Sequence, residues 1–367
     1  MFQQLNKTMF KILDRYIIRK FLGTFFYSLV LLISIVIVFD IQEKFDDFIE
    51  KKAPLNAIVF DYYVNFAPYY ANMFMFLFIF ISVIFFTSKL AGNSEIIAML
   101  SAGISFKRIL VPYFESAAVL AILSFVLSAY VLPPATDIRL QFENTYINKA
   151  YVNTSRNIHR QVNDSTRLYM QNYIASSNIG NRFSWEVYDG KILKEKLMSD
   201  NIRWDSTLGK WHISNYYIRY ITQNGDSVVT GKGMDTTLAI IPKDFNSRIE
   251  QIETLSSEEL HEYIEEQERR GNENIAAFKV ESYKRIAFPF ACFILTLIGV
   301  SLSSKKVRGG IGVNLGVGLA LSFSYILFMQ VFTQFAIGST MPPLLAVWIP
   351  NIMYAIIGIV LYFKAPK

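Results

Sequence analysis

Apolar stretches lie in the two ends of the chain, and a mostly polar region separates them. A helix that spans a bilayer needs about 20 mostly apolar residues. Six stretches meet this requirement: 21–39, 64–88, 109–132, 286–304, 311–335 and 344–363. The last two are halves of a 55-residue run, 309–363, that has no charged side chain and is divided at 338–343, where paired prolines break a helix. The pattern predicts three transmembrane helices, a polar domain and three more transmembrane helices.

The polar region between the third and fourth spans has the pattern of β-strands. Segments 166–170, 183–188, 201–204 and 210–221 alternate apolar with polar residues or are rich in β-branched and aromatic residues, and Gly-containing turns separate them. We therefore predict an inserted antiparallel β domain, a small sandwich or open barrel. The predicted boundaries are 1–136 for spans one to three, 137–255 for the β domain, 256–283 for a helical connector and 284–367 for spans four to six.

Composition and charge agree with a membrane protein. Hydrophobic residues make up 52% of the 367 residues and charged residues 18%, whereas about 25% of the residues of a soluble domain are charged. The net charge of +6 comes from the segments that flank the spans, which fits anchoring against anionic lipid and argues against nucleic acid as a partner. Cys292 is the single cysteine, so no disulfide forms within the chain.

Basic residues in the short loops predict the orientation. With the N-terminus inside, the inner segments carry 13 Lys and Arg residues, whereas the outer short loops carry only Lys44, Lys51 and Lys52. Positive residues are retained on the cytoplasmic side of membrane proteins. We expect both termini in the cytoplasm and the large polar domain outside, in a multi-pass membrane protein.

The sequence carries no pattern of an enzyme. It has neither a P-loop nor an HExxH motif, and His159, His212 and His261 are scattered without metal-ligand spacing. Glu115 is the one ionisable residue well inside a predicted span. We therefore expect no catalytic site, no metal and no cofactor bound by this chain, and favour a passage or scaffold over an enzyme.

The loop at 88–108, after the second span, predicts a short helix. Ser94 is expected to cap a helix from Glu95 to Ser101, and Gly103 to end it. Such a helix is too apolar to stand free in the cytoplasm. It either lies on the bilayer interface or docks into a partner as a coupling helix.

With its motifs in view, the chain resembles the LptF/LptG family, the transmembrane permease subunits of the lipopolysaccharide-export ABC transporter. The resemblance covers nearly the whole chain and rests on SEIIAMLSAGIS from Ser94, YKRIAFP from Tyr283, Arg308-Gly-Gly, Pro342-Pro343 and WIPN from Trp348. It implies a periplasmic β-jellyroll between two sets of three spans. It also implies an LptB-like ATPase dimer that hydrolyses the ATP, a sister LptF/LptG subunit, and a periplasmic LptC/LptA-like bridge that receives lipopolysaccharide extracted from the outer leaflet of the inner membrane.

The resemblance assigns the loop helix to coupling with the ATPase, with Glu95, Ile96, Ala98 and Gly103 as the candidate residues. Basic residues at the outer ends of the helices are candidates for binding lipid phosphates, or alternatively reach toward ordinary headgroups. These candidates are Lys44, Lys284 and Arg285.

Apolar residues of the β domain are candidates for a path of the lipid chains. They are Trp185, Val187, Ile202 and Trp204, and the alternative is that they form plain β-domain core. The competing function is a membrane scaffold or receptor with a periplasmic β interaction domain and no transport, for which a cytoplasmic docking helix has no use.

Overall fold

The computed structural model describes residues 2–147, 156–174, 177–222, 225–245, 252–269, 274–305 and 310–365. The chain divides into two compact units. One comprises Met1–Ile147, Glu253–Ser257 and Ala276–Lys367, and the other comprises Asn148–Ile252 and Glu258–Ile275.

The first unit is helical. Its first half contains α1 (Phe2–Glu50), a π-helix (Ala57–Tyr63), α2 (Val64–Gly92), α3 (Glu95–Ser101), α4 (Phe106–Val126), a second π-helix (Leu127–Val131) and α5 (Leu132–Tyr146). After the sheet come α6 (Ser257–Arg269), α7 (Ile275–Ser303), α8 (Gly310–Ile337) and α9 (Pro343–Lys364). Helix α6 falls mostly in the second unit.

Six helical segments are long and apolar enough to cross a membrane, which confirms the predicted spans. They are Ile12–Glu50, Ala57–Gly92, Phe106–Tyr146, Ile275–Ser303, Ile311–Ile337 and Pro343–Lys364. Most extend past the predicted apolar stretches, because backbone hydrogen bonds continue a helix after its hydrophobic run ends. The predicted break at 338–343 is confirmed, with Pro342 as the N-cap of α9.

The second span is the packed centre of the helical unit. Of its apolar window, 67% is buried, against 17% in the first span and 22% in the fifth. Helix α8 approaches α2 closely at Gly318, where a Cβ would lie 2.1 Å from Cδ1 of Ile84. Most residues in the apolar windows of the first and fifth spans are therefore not buried by the described part of the chain.

The second unit is built around one antiparallel sheet. Its strands are β1 (Arg156–Asn163), β2 (Thr166–Ile174), β3 (Ile179–Asp189), β4 (Ile192–Asp205), β5 (Lys210–Thr222) and β6 (Gly225–Thr236). Each strand pairs with the next one in sequence, from β1 to β6. The predicted inserted antiparallel β domain is confirmed, and its described strands form a single sheet because hairpins join them.

A row of polar residues crosses the whole sheet and interrupts its alternation. Through the strand register the row runs Arg156, Asn172, Asn181, Asn201, Ser214, Gly233. On β1, β3 and β5 the residue that directly follows the row member in sequence has a positive φ. These residues are Asn157, Arg182 and Asn215. In β5, Trp211 and Ile213 are buried before the row and Ile218 after it, so the inward-facing positions shift by one residue and both halves of the strand keep an apolar inner face.

Candidate coupling helix and substrate-binding residues

Helix α3 occupies the predicted positions, Glu95–Ser101, in the loop between the second and third spans. Ile96 is only 2% exposed and belongs to the buried cluster that also contains Leu90 and Phe106. Ile97 is 52% exposed, and Ala98 is exposed as well. One side of α3 is therefore fixed in the helical unit while the other side presents apolar groups to the outside.

The predicted cap at Ser94 is wrong. Ser94 has a left-handed backbone, with φ of 64°, and its side chain makes no capping hydrogen bond. A capping side chain requires extended backbone at the N-cap. Asn93 Nδ2 instead donates to Glu95 Oε1 at 3.1 Å, which orients the Glu95 carboxylate at the start of the helix.

The predicted stop at Gly103 is confirmed, and its geometry explains why glycine stands there. Gly103 has a φ of +83°. Its N–H donates to the Leu100 carbonyl at 3.0 Å, and the Ile104 N–H donates to the Met99 carbonyl at 3.1 Å. These two bonds are those of a Schellman motif, whose left-handed position favours glycine. Gly103 acts on α3 through the backbone, whereas the side chains of Glu95 and Ala98 are half-buried and exposed, respectively.

The start of α4 is tied to α1 by an ion pair that the sequence analysis missed. The Arg108 guanidinium donates to both carboxylate oxygens of Asp14, at 2.8 and 2.5 Å. Because Asp14 and Arg108 are 94 positions apart in sequence, no local pattern reveals the pair. It fixes the start of α4, a few residues after α3, and so helps to hold α3 in position.

Lys44 lies inside a cluster of polar side chains near the end of α1. Its Nζ is 2.7 Å from Asp40 Oδ1, contacts the Tyr62 hydroxyl and stands 4.7 Å from the centre of the Tyr62 ring. The Tyr63 hydroxyl donates to the other oxygen of Asp40 at 3.1 Å. Binding of a lipid phosphate by Lys44 would require this pair to open.

Lys284 and Arg285 differ in their surroundings, as expected for neighbours on a helix, which diverge by about 100°. Arg285 is 5% exposed, and its Nη1 donates to Ser257 Oγ at 3.3 Å. Lys284 is half-buried. Arg285 thus fastens the start of α6 to α7, and Lys284 is the better placed of the two to meet an external phosphate.

The four candidate residues of the lipid path do not share one environment. Ile202 is fully buried in the sheet's apolar cluster. Trp185 and Trp204 are partly exposed and pack against that cluster. Val187 is half-buried near the end of β3. Of the four candidates, Ile202 therefore lies in the core, and Trp185 and Trp204 lie at its border.

The motif from Trp348 to Asn351 forms part of a polar network inside the helical unit. Asn351 is buried, and its Oδ1 accepts a hydrogen bond from the Tyr325 hydroxyl at 2.9 Å. Its Nδ2 donates to the Ala287 carbonyl at 3.3 Å. One side chain of α9 thus bonds to both α7 and α8, which gives the motif a structural role.

Comparison with known proteins agrees with the fold and motifs. A search of curated protein sequences gave no match to this chain. Residues 15–364 match the family described as lipopolysaccharide export system permease LptF/LptG. Because the match spans nearly the whole chain, six membrane-spanning helices and inserted sheet included, the protein belongs to the LptF/LptG family of lipopolysaccharide-export permeases, which are transport subunits rather than enzymes.

Proposed function

We propose that this chain extracts lipopolysaccharide from the outer leaflet of the bacterial inner membrane, using ATP hydrolysed by a separate LptB-like ATPase dimer. The lipid then passes to a periplasmic LptC/LptA-like bridge. The chain itself binds no nucleotide or other cofactor in this scheme. Family membership supports export as the role, and the build of α3 supports the coupling.

The observation that carries the coupling step is the two-sided character of α3. The buried Ile96 and the hydrogen bonds at Gly103 hold the helix to the spans. Glu95, Ile97 and Ala98 remain available to a partner. A helix that is attached to the spans on one side and apolar on its free side transmits motion when a cytoplasmic ATPase binds it. A displacement of α3 by the ATPase would therefore reach the second and third spans.

The order of the spans supports the proposed sides of the membrane. Helix α3 follows the second span, whereas the sheet follows the third. One more crossing therefore separates them, and they face opposite sides. With the basic loops and both termini in the cytoplasm, α3 faces the ATPase and the β domain faces the periplasm.

The exposed surfaces of the first and fifth spans support the proposal of a sister permease subunit. The first and fifth spans bury only 17% and 22% of their apolar windows. Surfaces of this kind suit either lipid or a second set of spans. We propose that the sister LptF/LptG subunit lies against these two spans and that the lipid enters between the subunits.

The test of the coupling proposal is a charge reversal at Glu95. Glu95→Lys should dissociate the ATPase or abolish stimulation of its activity by lipopolysaccharide, since charge reversal at an interface opposes association. Lys364→Glu is the control, because it reverses an exposed charge at the end of α9. Normal assembly and normal stimulated ATPase activity in Glu95→Lys would refute the coupling role and favour the non-transporting scaffold.

A further inference from the structure

A groove of about 590 Å³ lies on the surface of the helical unit, between α4, α7 and α9. Val111, Phe114, Glu115 and Ala118 line it from α4, Leu297 from α7 and Ile359 from α9. Phe114 stacks on Phe293 of α7 with ring centres 6.2 Å apart, which closes the floor between α4 and α7. Lys107 also lines the groove, near the start of α4, and apart from Lys107 and the carboxylate of Glu115 its lining is almost wholly apolar.

That carboxylate, Glu115, is exposed in the apolar part of a membrane span. It follows Lys107 by eight residues, which places it about 12 Å deeper along the helix. A glutamate side chain is too short to reach the headgroups from that depth, whereas Lys107 reaches them easily. Ionisable residues in spans face the protein interior or a partner as a rule.

Within the described part of the chain, no hydrogen bond or ion pair to Glu115 is found. Arg108 is near enough to interact with its charge. The Arg108 guanidinium, however, is held by both oxygens of Asp14. Among the described residues, none, Lys107 of the same groove included, neutralises the Glu115 carboxylate by direct contact.

The chemistry of the groove selects among its possible occupants. A second copy of the chain would bring a second Glu115 carboxylate to the same depth, where the low dielectric makes the repulsion strong. A phospholipid places its headgroup at the level of Lys107 and offers only an acyl chain to Glu115. A transmembrane helix with Arg or Lys at the depth of Glu115 supplies both the apolar surface and the missing positive charge.

We infer that this groove binds a single transmembrane helix of an accessory membrane protein, whose Arg or Lys side chain pairs with Glu115. The groove lies on the third, fourth and sixth spans, away from the first and fifth spans proposed for the sister subunit. The accessory helix is therefore an addition to the transporter proposed above. It contacts α4 within four turns of α3 and is placed to influence coupling.

The test is photo-crosslinking in the membranes of the native host. Benzoylphenylalanine at Val111 of the full-length chain should give one discrete protein adduct, whose crosslinked helix is identified by mass spectrometry. Glu115→Lys should lower the adduct at least about tenfold, and Glu115→Gln should lower it less, because a like-charge contact in an interface costs more than a lost charge. Replacing the basic residue of the captured helix by Glu should restore the adduct in the Glu115→Lys background.

Val126→Lys is the matched control. Val126 is exposed on the same helix, does not line the groove and is about 16 Å along the helix from Glu115, too far for direct pairing, so this variant should keep most of the adduct. Should Glu115→Lys fail to accumulate, Glu115→Gln carries the test. Adducts with phospholipid only, with a second copy or with the sister subunit would overturn the inference. So would an adduct that is unchanged when the charge at position 115 is removed.

Discussion

At the residue scale, the left-handed backbone of Gly103 gives the sharpest prediction. Gly103→Ala should lower the free energy of unfolding by about 1 kcal/mol, because a Cβ is disfavoured at positive φ. No atom lies within 4 Å of the Cβ that alanine would add, so the cost is confined to the backbone. Gly92→Ala is the control: it also has open space but ordinary helical backbone, and should be neutral or slightly stabilising. Thermal unfolding in detergent measures both, and equal effects would refute the explanation.

Also at the residue scale, substitutions of Lys284 and Arg285 should have different effects on lipid crosslinking and on stability. Lys284→Glu should reduce photo-crosslinking of lipopolysaccharide about tenfold with unchanged thermal stability, since a charge-assisted bond to phosphate is lost. Arg285→Glu should lower stability as well, because Arg285 bonds to Ser257 inside the protein. Arg269→Glu, on the exposed side of α6, is the control and should leave both quantities unchanged. Equal crosslinking by all three variants would show that neither residue binds the lipid.

At the element scale, the helices α7, α8 and α9 should be coupled through Asn351. Asn351→Ala should cost about 1 kcal/mol or more, because it removes two hydrogen bonds and one such bond within a membrane protein contributes about 0.6 kcal/mol on average. Tyr325→Phe removes the hydroxyl that bonds to Asn351, so the double variant should cost less than the sum of the single variants. Unfolding of the four proteins in detergent gives the coupling. Strict additivity would mean that the hydrogen bond contributes nothing.

The elements also show what a sequence can and cannot predict. The six spans and the break at 338–343 were predictable, because hydropathy and proline act locally. The Asn351 network and the Arg108–Asp14 pair were not, since each joins helices that are distant in sequence. The prediction that Ser94 caps α3 was wrong. Serine is a favoured residue at this position, but the backbone of Ser94 is left-handed, which the residue type did not reveal. Strict alternation could not reveal the polar row of the sheet, where the inward positions shift by one residue.

At the scale of the whole molecule, the question is whether lipid passes through the β domain or beside it. Ile202 belongs to the core of the sheet and is fully buried, whereas Trp185 and Trp204 lie at the border of that core. A moving acyl chain meets border residues first, because opening the packed core would forfeit its dispersion contacts. The domain is joined in sequence to the third span on one side and to the connector before the fourth on the other. We therefore expect a lipid that reaches the sheet to contact the border residues before Ile202.

This argument predicts the labelling pattern of photo-reactive probes in the assembled transporter. Probes at Trp185, Val187 and Trp204 should capture lipopolysaccharide when ATP and the ATPase are present and lose it without ATP, whereas a probe at Ile202 should capture little. Tyr217 is the control, since its side chain is exposed, its hydroxyl donates to Met198 Sδ, and it lies outside the core cluster. Capture at Tyr217 equal to that at Trp185 would indicate indiscriminate contact. If no border probe labels while the complex still exports lipid, the β domain of this chain is a scaffold, and the lipid travels through the sister subunit.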